Sequence, residues 1–139
     1  MGSFQGHLTS NACSVAQWAA VGALREANND VIAMHNQFSK RKDLAVSLLK
    51  DMPLIKFQEP QGAFYVWINI EKTFGKKHGN TLITDDSSFC SALLDSKYVA
   101  GVPGTAFMVP GYMRISYSNS TEEITEGMGR LKEFLEEIK

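Results

Sequence analysis

Arg114 is the residue whose type and setting point most directly to chemistry. It interrupts Gly111-Tyr112-Met113-Arg114-Ile115-Ser116-Tyr117-Ser118, a run of otherwise apolar, aromatic and hydroxyl side chains that reads as a β-strand. A guanidinium in such a run is costly to bury unless an anion meets it, and its planar fork matches a carboxylate through two parallel hydrogen bonds. One reading is therefore a strand that aims a cation at a small acid. The other is an edge-strand arginine that snorkels to water or closes a structural ion pair.

Two glycine segments also stand out. Gly62-Ala63-Phe64-Tyr65 follows a Glu59-Pro60-Gln61 turn, and Pro103-Gly104-Thr105-Ala106-Phe107 contains a glycine that permits close approach to a neighbour or ligand. Each is equally a turn beside a core strand. Cys13 and Cys90 are too few for a disulfide framework, and neither has a cysteine or histidine at zinc-ligand spacing. They read as small apolar fillers suited to a reducing compartment, and no metal is expected. His78 has no evident partner.

The elements that must hold these residues follow from periodicity. Thr9 or Ser10 can cap a helix beginning near Asn11, with Val15, Ala19 and Leu24 facing a neighbour. Asn28-Asn29-Asp30 should break it. Asp30 can cap a second helix, with Val31, Met34, Phe38, Leu44, Val46, Leu48 and Leu49 buried and Lys40 to Asp43 wet, ending at Met52-Pro53. Leu54 to Phe57 reads as a short strand, Ala63 to Ile70 as the strongest strand, and Glu71 to Asn80 as a loop. Thr84 or Asp85 can cap a helix through Phe89, Leu93 and Leu94, and Tyr98 to Val102 is a short strand. Ser120 or Thr121 with Glu123 caps a last amphipathic helix presenting Ile124, Met128, Leu131, Leu135 and Ile138. The pattern is an α+β layer, a small and largely antiparallel sheet covered by helices.

At 139 residues with 44% hydrophobic and 21% charged side chains, the chain can bury a real core. A net charge of −1 gives no electrostatic reason to expect nucleic acid or anionic membrane as a partner. No stretch approaches a membrane span, and Met1-Gly2-Ser3 lacks the features of a signal peptide. Residues 1–3 read as an expression scar or linker. The aromatic strand at Gly62 to Ile68 leaves open a free-standing RNA-binding module, against which the acidic balance and helical opening argue.

Taken in order, Gln5 to Gln17, Gly62-Ala63-Phe64-Tyr65, Val102-Pro103-Gly104-Thr105-Ala106-Phe107 and Met113-Arg114-Ile115-Ser116-Tyr117 form a more specific set than any one segment. The series resembles the C-terminal portion of class I/II (fold type I) pyridoxal-phosphate aminotransferases, closest to the bacterial and plastid-type aspartate/prephenate branch. The resemblance runs essentially from Ser3 to the end. It implies that residues 4–139 are the C-terminal small domain, with a helix leading from a large domain outside this chain. It implies that Arg114 binds the α-carboxylate of an amino-acid substrate. Ser10 and Asn11 would lie near the dimer interface and the active-site mouth. One departure is Met108, where the family usually has glycine after the phenylalanine; this puts the loop geometry in doubt rather than the fold.

The resemblance further implies pyridoxal 5′-phosphate in the full-length enzyme, amino-acid and 2-oxo-acid substrates, a homodimer and a cytoplasmic location, with an organelle as the alternative. The family's Schiff-base lysine lies in a Ser-Lys motif followed by Gly-x-Arg. Ser39-Lys40 and Ser96-Lys97 both lack that continuation and read as surface lysines. No catalytic residue, cofactor-binding residue or covalently bound cofactor is therefore expected in this chain, which alone should be inactive. The alternatives are a lyase of the same fold, which would keep Arg114 and change the chemistry elsewhere, and a non-catalytic carboxylate-binding module.

Overall fold

The computed structural model describes residues 2–139. They divide into two compact units, one ending at Gln37 and the other running from Phe38 to Lys139. The first unit is helical: α1 (Gly2–Thr9), α2 (Ser14–Glu26) and the opening turns of α3 (Asn28–Lys50). The residues expected to start a helix instead end one. The Thr9 hydroxyl donates back to the Gln5 carbonyl at 3.0 Å, and the Ser10 N–H donates to the Gly6 carbonyl at 3.1 Å. Ser10 takes a left-handed φ of 55°, which closes α1 as a C-terminal cap does. Gly2 and Ser3 form the first positions of α1.

The next helix begins at Ser14, where Cys13 occupies the cap position without a side-chain bond. Cys13 is exposed, so only Cys90 is the buried filler expected. The Asn28-Asn29-Asp30 break is displaced to the single residue Ala27, and Asp30 lies inside the first turn of α3, where its charge faces the positive helix end. Neither α1 nor α2 buries a residue, so Val15 and Leu24 are exposed rather than packed. Val31 and Met34 of α3 are likewise exposed.

The second unit is the α+β layer. Helix α3 buries Ala45, Val46 and Leu49, and Phe38, Leu44 and Leu48 pack partly against the core. After it come β1 (Lys56–Phe57), β2 (Tyr65–Asn69), the hairpin β3 (Lys77–His78) and β4 (Thr81–Leu82), α4 (Asp86–Lys97), β5 (Val102–Pro103), β6 (Tyr112–Ser116) and α5 (Thr121–Glu137). The main sheet is four-stranded, in the order β1-β2-β6-β5 with every pairing antiparallel. The expected strand at Tyr98 to Val102 begins only at Val102, because Tyr98 is the left-handed C-cap of α4 (φ 57°).

Within the stretch expected as a loop, Glu71 to Asn80, the structure has β3, which pairs with β4 as a hairpin. Its signal was the two-residue connection Gly79-Asn80, with Gly79 at a positive φ of 57° where a tight hairpin turn wants glycine. Alternation along β2 and β6 splits the main sheet into two faces. Val66, Ile68, Met113 and Ile115 are buried in one core with residues of α3, α4 and α5, so these helices cover that face. Capping is as expected at both later helices: Asp85 closes a reciprocal box with Ser88, and Ser120 with Glu123. All five apolar positions expected to face inward from the last helix are buried.

His78 does have a partner. Its ring lies 4.5 Å from that of Phe134, and its Nε2 is 2.7 Å from Glu137. Glu137 also accepts from Lys97 at 2.6 Å, so one carboxylate joins the hairpin, α4 and the end of α5. Lys97 first, then His78, holds the Glu137 carboxyl below its ordinary value of 4.5. Because the folded value is the lower one, this stabilisation is present above about pH 4.5 and is lost as pH falls through the folded value. An NMR titration should place the Glu137 midpoint below 4.5, and Lys97→Met should return it toward that value. An unchanged midpoint would remove Lys97 as the cause.

Candidate functional site

The face of the sheet opposite the helices carries Tyr65, Trp67 and Asn69 from β2 and Tyr112, Arg114 and Ser116 from β6. Register puts Trp67 directly opposite Arg114 on one side and Val102 opposite it on the other. Arg114 is therefore on an inner strand and not at an edge, contrary to the snorkelling alternative. Its half-buried guanidinium has its central carbon 4.1 Å from the ring centroid of Tyr65 and 4.1 Å from that of Phe107. Two such cation–ring contacts are worth about 0.5–2 kcal/mol each, enough to fix the plane of the fork.

Charge compensation is missing. The ion pairs of the described residues engage Lys42, His78, Lys97 and Arg130, and none includes Arg114. Among the described residues its Nε is the buried side-chain donor with no hydrogen-bond partner. A buried, charged donor left unpaired is unfavourable by itself. The guanidinium is thus held by two rings, and its buried Nε has no partner among the described residues.

The motifs around it have separate jobs. Tyr117 donates its hydroxyl to the Ala63 carbonyl at 2.8 Å and its N–H to the Phe64 carbonyl at 2.9 Å. Burial pushes the Tyr117 phenol above its ordinary value, so it stays a donor. This tie links the end of the arginine strand to the Gly62-Ala63 turn and so sets where Tyr65 enters the sheet. Phe107 comes from a 3-10 turn, Gly104–Phe107, and its ring is edge-on to Trp67 at 5.4 Å. Met108, the departure noted above, takes a left-handed φ of 59°, the conformation glycine adopts without strain. The loop thus keeps a glycine-like path despite the larger residue.

Sequence reasoning named Arg114 and the two glycine motifs. It did not single out Tyr65, Phe107 or Trp67 as the arginine's setting; their place inside the quoted motifs was the available signal. Ser10 and Asn11 are exposed residues of the first unit, whereas Arg114 belongs to the second. Lys40 is exposed on α3, and the Lys97 ammonium is held by Glu137 and Glu133 at 2.6 and 3.5 Å. Cys90 lies on the buried side of α4 with its thiol pushed up to about 12, by burial first and by Asp86 second, so it is inert. Among the described residues no helix is long and apolar enough to cross a membrane.

The chain matches known proteins in sequence and in fold. Residues 1–131 match the model of the family described as aminotransferase class I and II, and the chain belongs to that family. The aspartate/prephenate aminotransferase of Cereibacter sphaeroides is 40% identical over 135 residues, covering 96% of this chain and 34% of that protein. Among solved structures, the aspartate aminotransferase of Rhizobium meliloti superposes with a TM-score of 0.94 at 31% identity, covering 99% of this chain and 34% of that one. The aromatic aminotransferase of Pyrococcus horikoshii does so at 0.85 and 30% identity, covering 97% of this chain and 35% of that one. The chain thus spans about a third of the length of these relatives.

Gly104 is the tightest point of the loop. A methyl group there would fall 2.0 Å from the Val109 carbonyl oxygen and 2.8 Å from that of Tyr112, both backbone atoms that cannot step aside. Gly104→Ala should therefore cost about 3 kcal/mol in denaturant unfolding. Gly62→Ala, which meets nothing within 4 Å, should cost far less. Equal effects of the two changes would contradict this packing.

Proposed function

We propose that the chain is the C-terminal, substrate-anchoring part of a pyridoxal-phosphate-dependent aminotransferase of the aspartate aminotransferase kind, exchanging the amino group of an amino acid with a 2-oxo acid. Arg114 is its anchor. The observation that supports this is a guanidinium pinned between β-sheet and aromatic rings with no carboxylate of its own. A substrate α-carboxylate supplies the missing partner through two charge-assisted hydrogen bonds. Clamped there, the substrate has its amine fixed in direction, and such orientation is worth several powers of ten in rate.

Pyridoxal phosphate, the group the family implies, supplies the electron sink for this chemistry when bound. The residues described here do not suit it. Neither Lys97, tied to two carboxylates, nor Lys40, exposed on its helix, stands free beside a phosphate cradle. No step through the cofactor is therefore assigned to this chain, whose part is to bind and orient the substrate. In this reading residues 4–139 form the small domain, the lysine belongs to polypeptide preceding it, and Ser10 and Asn11 lie by the active-site mouth or dimer interface. The full-length enzyme is a cytoplasmic homodimer. The names of the relatives favour aspartate as amino donor.

In the full-length enzyme, Arg114→Ala removes both bonds to the carboxylate and should lower kcat/KM for aspartate by about 10²–10⁴, at roughly 1.5–3 kcal/mol for each charged hydrogen bond. KM should rise in parallel. Near-normal kinetics with aspartate or glutamate would remove the assignment. A lyase of the same fold would use the same anchor, so products decide between them: transamination yields a new amino acid from the added 2-oxo acid, whereas elimination releases ammonia without one.

A further inference from the structure

We infer that Asp86 is a positioning residue for the arginine site, acting through Thr105 to set the ring of Phe107 against Arg114. The inference rests on the anchoring role of Arg114. Asp86 lies in the first turn of α4 and is only 2% exposed. Its Oδ2 accepts the Thr105 N–H at 2.7 Å, and the Thr105 hydroxyl lies 2.8 Å from both carboxylate oxygens. Among the described residues no cation pairs with it. A carboxylate taken out of water is costly unless donors meet it, so letting go of Thr105 would strand a buried charge. The contact therefore resists release.

What it holds is the turn. Thr105 is the second residue of Gly104–Phe107, and the turn is closed on its far side by Met108 N–H to Thr105 carbonyl and Val109 N–H to Gly104 carbonyl, both at 3.0 Å. Gly104 leaves no slack, since even a methyl group would strike backbone. Two residues beyond Thr105, the Phe107 ring reaches 4.1 Å from the guanidinium carbon of Arg114. Phe107 itself is 38% exposed, so surrounding packing alone does not fix it. A shift of the turn would move one of the two rings that define the plane of the arginine. An apolar side chain could fill the site of Asp86 at no penalty for desolvation; what the carboxylate adds is a fixed direction.

The test uses the full-length enzyme, with L-aspartate as substrate and maleate as an unreactive dicarboxylate. Asp86→Asn, Thr105→Val, Thr105→Ser and Arg114→Lys are compared for KM, kcat, maleate Kd and Tm. Asp86→Asn and Thr105→Val should each raise aspartate KM and maleate Kd about tenfold, with kcat changed less than about threefold and Tm within about 5 °C. Thr105→Ser, which keeps the hydroxyl, should recover most of what Thr105→Val loses. Unchanged maleate Kd in Asp86→Asn and Thr105→Val, with weakened binding in Arg114→Lys, overturns the role of Asp86 and leaves the anchor standing. Unchanged binding in Arg114→Lys overturns the anchor itself. Parallel falls of kcat and Tm without a specific rise in Kd would make Asp86 only a fold element, also overturning the inference. If Asp86→Asn does not fold, Thr105→Val decides alone, because its backbone N–H still meets the carboxylate.

Discussion

An uncompensated guanidinium on the open face of a small antiparallel sheet is the constraint around which the second unit is arranged. The opposite face of the same strands is filled by Val66, Ile68, Met113 and Ile115 against three helices. Burial of that face fixes the register of β2 and β6, since a slip of one residue would exchange the core for the aromatic face. The hydrophobic core thus determines where Arg114 points, although Arg114 takes no part in it.

Rings rather than acids restrain the cation. Tyr65 and Phe107 hold the plane of the fork without neutralising it, which a structural carboxylate would do. An internal acid would occupy the N–H groups of the fork, whereas a ring face leaves them free. Each ring is fixed from a different place. Tyr65 depends on the strand entry tied down by Tyr117, and Phe107 on a 3-10 turn whose glycine touches backbone. The unpaired Nε is an unfavourable feature in an otherwise well-satisfied layer.

The two units differ in how much of them the chain itself buries. The second has a full core and capped helices, and its C-terminus is bridged to β3 by paired Lys77 and Lys139 backbone groups. In the first, α1 and α2 expose Phe4, Leu8, Val15, Trp18 and Leu24. Helices with this many bare apolar side chains derive little stability from within this chain. That agrees with a chain spanning about a third of the length of its relatives.

Local chemistry was enough to determine the later helices and the two longest strands. The Ser120/Glu123 box, the apolar stripe of α5 and the β-branched run of β2 are short-range patterns, and each formed where its residues stand. The same holds for the oddity of Arg114 within an apolar strand and for the ordered motifs shared with the aminotransferase family. Near the start of the chain, by contrast, Thr9 and Ser10 have hydroxyls that serve a helix start or a helix end equally well; the backbone bonds to Gln5 and Gly6 made them an end. Partnerships between distant residues were beyond reach: His78 with Glu137, Asp86 with Thr105, and the two rings with Arg114. Nothing in composition or periodicity encodes them, because they arise only when packing brings together side chains of different elements and excludes the water that would otherwise satisfy them.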